Sequence, residues 1–343
     1  METKPPNDVA QEIMTQNSVN IDDIQAAYQR IRHQVLETPL VESKALSALN
    51  DGRVFLKCEN LQHTGSFKFR GGSNALLSLT PVQRQNGVLA YSSGNHAQGV
   101  ACAAALAGTK ATIVMPEDAP AVKIANTRAH GAQVVLYDRY NESREEIGSA
   151  LADETGAELI KPFDDVRVIA GQGTAGLECA HQAMGRNIQP DAMIVCCGGG
   201  GLSAGCGIAM TSVFPNITMY TAEPRDFDDF ARSLETGHRE TNAPEARSFC
   251  DAIVTPTPGE ITFPLVQKNY QSGLSASDHQ VREAIKLLFT HHRVIAEPGG
   301  AVAVASFMAH AKAFRGQTVI LMISGGNIDA SLLNQIISDE LTS

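Results

Sequence analysis

Apolar positions recur along this chain in two rhythms. Ile24, Tyr28, Ile31 and Val35 fall on one helical face behind Asn20, a residue suited to capping, with Asp22 and Asp23 in the first turn. Pro39 is expected to end that helix. Val54-Phe55-Leu56-Lys57-Cys58 predicts a strand, followed by a helix that opens at the lysine of Ser66-Phe67-Lys68-Phe69 and runs to about residue 79. Strands predicted at 87–91, 111–115, 132–137 and 158–161 alternate with an Ala-rich helix to 107 and helices at 121–130 and 143–155. A second series follows: helix 172–184, strand 192–197, a helix from Leu202, strand 217–222, helices 281–291 and 299–310, and strand 319–323.

Strands alternating with helices build parallel sheets, so the chain reads as α/β. At 343 residues it suits two domains of ordinary size. The net charge of −10 gives no basic footprint for nucleic acid. No run reaches the length of a membrane span, and residues 1–17 are polar, as in a frayed leader without a signal region. The seven cysteines show neither zinc nor disulfide spacing, and read as reduced, mostly buried thiols of a cytoplasmic protein.

The chemistry concentrates in four places. Thr64-Gly65-Ser66-Phe67-Lys68-Phe69-Arg70-Gly71-Gly72 sets a lysine between two phenylalanines. Desolvation there would lower its pKa and free an amine to attack a carbonyl. Three turns rich in small residues follow predicted strands: Ser92-Ser93-Gly94-Asn95-His96, Gly198-Gly199-Gly200-Gly201, and Ser324-Gly325-Gly326-Asn327. Open parallel sheets bind ligands at that strand edge. The four glycines entering a helix at Leu202 suit a phosphate, because bare backbone can close around it and the helix dipole adds attraction. They match neither the P-loop nor the dinucleotide pattern. Ser324 can donate to a heteroaromatic nitrogen or cap a turn. Asn95 can meet a ring hydroxyl or a carboxylate, Ser93 can be an acid, a base or a cap, and His96 reads as structural. Glu223, Asp226, Asp228 and Asp229 read, on residue type alone, as an acidic helix start rather than a cation site.

Taken in order, these segments resemble the serine/threonine dehydratase and serine racemase family of pyridoxal-phosphate (PLP) enzymes. The resemblance covers about residues 21–329, with Ile169-Ala170-Gly171-Gln172-Gly173-Thr174 and Ala296-Glu297-Pro298 as further matching segments. It implies PLP fold type II: two open parallel-sheet, three-layer domains with the active site between them. The large one would comprise 1–86 plus 164–343, and the small one 87–163. It implies that Lys68 holds PLP as a Schiff base and becomes the base once substrate displaces it. Phe67 would pack near the ring and Asn95 bond the ring hydroxyl. Gly198, Gly199, Gly200, Gly201 and Leu202 would hold the phosphate, and Ser324 the pyridine nitrogen. A neutral hydroxyl at that nitrogen favours prompt loss of a β-substituent. Ser93 matches the serine on the opposite face in racemases. Glu223, Asp229 and the carbonyl of Phe227 match the family's divalent-cation ligands, Mg²⁺ or Ca²⁺, which reverses the reading from residue type. His63 stands where relatives carry arginine, a place for a specificity difference. Phe163 matches the dehydratases. Within Thr255-Pro256-Thr257-Pro258-Gly259-Glu260, Gly259 is the fair match to a cofactor contact.

The expected function is a PLP-dependent ammonia-lyase. It would convert a β-hydroxy amino acid to a 2-oxo acid and ammonia by α,β-elimination. Threonine or serine is the default substrate, with 3-hydroxyaspartate possible if His63 or a nearby arginine meets a second carboxylate. An amino-acid racemase is the alternative. A non-catalytic PLP or nucleotide binder is disfavoured by the intact lysine, serine and asparagine positions. The partners expected are a small amino-acid substrate and a second copy in a homodimer, with no nucleic acid and no membrane.

Overall fold

The computed structural model describes residues 18–119 and 121–338, so the leader expected at 1–17 lies outside the described residues. Asn20 caps helix α1 (Ile21–Ile31): its side chain accepts from the Asp22 and Asp23 amides while Asp23 takes the Asn20 amide. The helix ends at Ile31, not near Pro39, and Val35 lies in the turn beyond. Then come β1 (Leu40–Glu42), α2 (Lys44–Asn50), β2 (Arg53–Cys58), α3 (Lys68–Leu77) and α4 (Pro81–Asn86). The next series is β3 (Val88–Tyr91), α5 (Asn95–Leu106), β4 (Ala111–Pro116), α6 (Ala121–Ala129), β5 (Gln133–Tyr137), α7 (Arg144–Thr155) and β6 (Glu158–Leu159). The remainder is α8 (Val166–Gly185), β7 (Ala192–Cys196), α9 (Gly201–Val213), β8 (Thr218–Pro224), α10 (Asp229–Thr236), α11 (Thr262–Asn269), β9 (Ser272–Ala276), α12 (Asp278–Leu287), α13 (Pro298–His310), β10 (Thr318–Ile323) and α14 (Ala330–Ile337).

The strands form two sheets, ordered β1-β2-β10-β7-β8-β9 and β5-β4-β3-β6. Their pairings are parallel save for the antiparallel edge of β1 on β2. Alternation along each buried strand makes the large sheet two-sided. Phe55, Met193, Val195, Ile320 and Met322 pack on one face with Ile24, Ile169, Leu177 and Met210. Val54, Leu56, Ile194, Leu321 and Ile323 pack on the other with Val281, Val304 and Phe307. The second sheet turns Val88, Ala90, Ile113 and Met115 toward Val100 and Ala104. That core also takes in Leu76, Leu79 and Val168. Leu76, Leu79 and Val168 thus reach this core from outside the stretch 87–163.

Small residues let α8 run tight against its neighbours. A Cβ at Gly171 would lie 2.7 Å from the Gly71 Cα, and one at Gly205 would lie 2.5 Å from the Gly173 nitrogen. The short strands β1 and β9 carry no apolar run because each is an edge, paired on one side only. No helix among the described residues is long and apolar enough to cross a membrane.

Candidate active site

Lys68 is placed by backbone pairing on one side and a buried charge network on the other. Thr64 and Gly65 turn in the left-handed region, at φ 60° and 73°. Residues beyond them zip onto the loop after β10: Ser66 and Gly325 form an antiparallel bridge. The Phe67 amide donates to the Ser324 carbonyl at 3.1 Å, and the Gly326 amide to the Gly65 carbonyl at 2.9 Å. The lysine therefore starts α3 directly beside Ser324. Its Nζ donates to the Pro162 carbonyl at 2.6 Å and stands 5.2 Å from the Phe67 ring centroid. Burial pulls its pKa down to about 8, against the opposing pull of Cys196 and Glu297.

Two residues along, Arg70 reaches into the core. Its Nε and one terminal nitrogen grip Glu59 at 2.7 and 2.8 Å, and Glu178 lies 2.8 Å away. Lys57 Nζ meets the same Glu178 at 2.6 Å. Lys57, Glu59 and Arg70 are fully buried, and Glu178 nearly so. Two cations and two carboxylates thus neutralise one another where neither sign could stand alone. The network ties α3 to β2 and α8, and so fixes the register of the helix that carries Lys68. No local pattern announces it, because Glu178 lies 108 residues from Arg70.

The three strand-end turns meet at one cavity of about 230 Å³. Phe67, Lys68, Ser93, Asn95, Gly198, Gly199, Gly200, Gly201, Leu202 and Ser324 all line it. Helix α9 begins at Gly201, so its first amides have no intrahelical acceptor. Gly200 has φ 90°, and a Cβ on it would lie 2.4 Å from the Phe230 ring. A Cβ on Gly199 would lie 2.3 Å from the Phe163 ring. Thr262 Oγ1 donates to the Gly199 carbonyl at 2.6 Å, holding the loop's shape. Bare, unsatisfied amides at a dipole end form a cradle that fits a phosphate. With a buried amine and a serine hydroxyl on the same cavity, the residues fit PLP.

Gly259 does not line this cavity. It packs against Asp164 and Thr262, where a Cβ would come within 2.5 and 2.6 Å. Asp164 in turn caps α11, accepting from the Ile261 amide at 2.8 Å. Gly259 thus serves the packing that supports the loop, while Thr255 and Pro256 line the cavity in its place.

Asn95 is oriented at both ends of its amide. Nδ2 donates to Glu297 Oε1 at 2.5 Å, and Oδ1 accepts from Asn327 Nδ2 at 2.7 Å. One amide hydrogen remains for a ring hydroxyl. Burial raises the Glu297 carboxyl to about 7. Burial raises the Cys196 thiol to about 11, with Ser324 pulling the other way. His96 is buried, with Nε2 2.9 Å from the Ile160 carbonyl and Nδ1 without a partner among the described residues. Burial, with Lys68 nearby, lowers its pKa to about 3, so it is neutral, as a structural histidine would be.

Glu223, Phe227 and Asp229 lie off the cavity. Glu223 and Asp229 are buried. Glu223 accepts from the Phe230 and Ala231 amides at 2.9 and 2.8 Å. Asn242 holds Asp229 Oδ1 at 2.6 Å, while Oδ2 has no partner among the described residues. Burial, then Asp229, pushes the Glu223 carboxyl well up, and burial pushes Asp229 to about 7. No group of three metal-ligating side chains is found among the described residues. Two side chains and one carbonyl remain, and the orphaned oxygen fits a hard cation.

Residues missed by the sequence reading complete the cavity wall. Lys123, Arg144 and Asp251 line it, as does Glu297. They are scattered over two helices and two irregular segments, and of the four only Glu297 fell in a stretch the sequence singled out, Ala296-Glu297-Pro298. His63 is not among the lining residues. Its ring packs edge-on against Phe69, centroids 5.0 Å apart, so the expected meeting with a substrate carboxylate is not supported. All seven cysteines are free, and six of them are buried.

The family described as pyridoxal-phosphate dependent enzyme matches residues 31–325. The chain is 42% identical to an L-threo-3-hydroxyaspartate ammonia-lyase from a Pseudomonas species, over 91% of this chain and 97% of that protein. It is 38% identical to the L-threonine ammonia-lyase of Thermotoga maritima, over 94% of this chain and 79% of that one. The crystal structure of serine racemase from Dictyostelium discoideum superposes with a TM-score of 0.85 at 36% identity, covering 91% of this chain and 99% of that one.

Proposed function

Because this chain belongs to the pyridoxal-phosphate dependent enzyme family, we propose that it is an ammonia-lyase. It removes water from a β-hydroxy amino acid, and the resulting enamine hydrolyses to a 2-oxo acid and ammonia. When bound, PLP supplies an aldehyde for an incoming amine and an electron-withdrawing ring that acidifies Cα–H. The chain's own residues do the rest. The Gly198–Gly201 loop and Leu202 grip the phosphate through backbone amides. Ser324 holds the ring nitrogen with a neutral hydroxyl, and Asn95, braced by Glu297 and Asn327, takes the ring hydroxyl. Ser93 and the first amides of α5, which carry no side-chain cap, border the cavity and suit the substrate carboxylate. Lys68 Nζ takes the Cα proton, which a desolvated amine near pH 8 is suited to do.

The observation that carries this reading is the placement of Lys68, the four-glycine loop and Ser324 on one cavity. The test is release of ammonia and 2-oxo acid from serine, threonine and the 3-hydroxyaspartates, with and without chelator. No release from any of them would remove the reading.

A racemase reading draws on Ser93, which lines the same cavity as Lys68 and can return a proton to the other face. Three finer assignments belong to the same proposal. Glu223, Asp229 and the Phe227 carbonyl hold Mg²⁺ or Ca²⁺, a charge that offsets two buried carboxylates. The chain works in the cytoplasm on a small amino acid, without nucleic-acid or membrane partners. It pairs as a homodimer, with the exposed Leu36, Leu61 and Ile295 as apolar side chains for a second copy to cover.

A further inference from the structure

Lys123 on α6 and Asp251, in the irregular segment after α10, form an ion pair of 3.0 Å across the cavity mouth. The Lys123 side chain is 24% exposed and that of Asp251 is 62% exposed. The cation is thus fixed in the wall while its carboxylate partner stands mostly in water. Partners exposed to this degree hold each other weakly and exchange readily. Arg144 on the same wall lies 5.4 Å over the Tyr91 ring and spends its Nε on Glu145, away from the cavity. Glu297, the other carboxylate on the cavity, is engaged by Asn95. Lys123 is therefore a cavity cation whose one ion partner among the described residues, Asp251, can leave.

We propose that Lys123 selects substrates bearing a second carboxylate at Cβ, and that Asp251 occupies its place until such a substrate arrives. This rests on the ammonia-lyase reading above. The parked Asp251 carboxylate marks what Lys123 accepts. A substrate carboxylate entering the cavity takes over the charge-assisted hydrogen bond in a drier setting, where it is stronger. The methyl group of threonine or the hydrogen of serine gains nothing from the same ammonium. The substrate class is thus a 3-hydroxyaspartate in preference to a neutral hydroxy amino acid.

The test compares Lys123→Met and Asp251→Asn with wild-type holoenzyme, each checked for PLP absorbance. The readout is the ratio of kcat/KM for 3-hydroxyaspartate to kcat/KM for threonine. Lys123→Met should lower that ratio roughly 10- to 100-fold, the worth of one hydrogen bond to a charged group. Asp251→Asn should raise it by removing the competitor. Binding of succinate, a non-reacting dicarboxylate, followed by calorimetry should weaken about tenfold or more in Lys123→Met. A ratio unchanged in Lys123→Met, or unchanged or lowered in Asp251→Asn, overturns the inference. So does equal succinate affinity in Lys123→Met and wild type. Should Lys123→Met fail to fold, Asp251→Asn decides alone. If the wild type releases ammonia from neither substrate, the ammonia-lyase reading falls instead, and succinate binding alone judges Lys123.

Discussion

The Lys68 amine donates to the carbonyl oxygen of Pro162 across 2.6 Å. Pro162 follows the last strand of the small sheet, while Lys68 is bonded through Phe67 to the loop after β10 of the large one. The nitrogen therefore sits where the two sheets meet, held out of water by both. Its position and its lowered basicity have the same cause.

That lowered basicity gives a pH signature in the apoprotein. Below about 8 the ammonium dominates and the neutral, nucleophilic amine is scarce. Covalent capture of PLP should accelerate roughly tenfold per pH unit up to that point, then level off. An ordinary lysine would keep accelerating toward its unperturbed value of 10.5. Stopped-flow absorbance would separate the two profiles. Lys68→Ala should capture no PLP covalently and turn nothing over.

The buried network beneath Lys68 should dominate local stability. Glu178→Ala leaves Lys57 and part of Arg70 uncompensated in the core, at a cost of about 3–5 kcal/mol. Glu42→Ala removes the exposed pair with Arg53 and should cost little. Denaturant midpoints measure both, and similar midpoints for the two variants would count against the network.

The glycine loop packs closely against the Phe163 ring. Gly199→Ala forces a methyl group into that ring. Overpacking of this kind costs about 1–3 kcal/mol, up to roughly a hundredfold in PLP affinity if the loop yields. Adding Phe163→Ala should restore part of the loss in a fluorescence titration. A double variant no better than Gly199→Ala would show that Phe163 is not the obstacle.

A divalent cation should stabilise the fold through Asp229. At about a hundred times its Kd, Mg²⁺ or Ca²⁺ would add roughly 2.7 kcal/mol. The melting temperature should rise with the ion and fall with chelator. Asp229→Asn should respond to neither; a variant that still responds places the ion elsewhere.

Ser93 separates elimination from racemisation. Ser93→Ala should abolish any D/L interconversion of serine while ammonia release from one enantiomer persists at a reduced rate, read by chiral chromatography beside ammonia release. If the wild type forms no D-serine at all, the racemase reading lapses.

The sequence by itself determined the three strand-end turns, the lysine beside its glycines, and the capping of α1 by Asn20. These signals are local: an apolar run, a turn residue at its end, a polar cap at fixed spacing. The tertiary structure alone decided which distant side chains pair. Asn95 meets Glu297 across 202 residues, Arg70 meets Glu178 across 108, and Lys123 meets Asp251 across 128. It also moved Gly259 and His63 off the cavity and put Thr255, Pro256 and Arg144 on it. The physical reason is that the large sheet interleaves strands from both ends of the chain, β2 beside β10 and β10 beside β7. A polar partner is set by that neighbourhood, and a side chain's periodicity along its own segment carries no record of it.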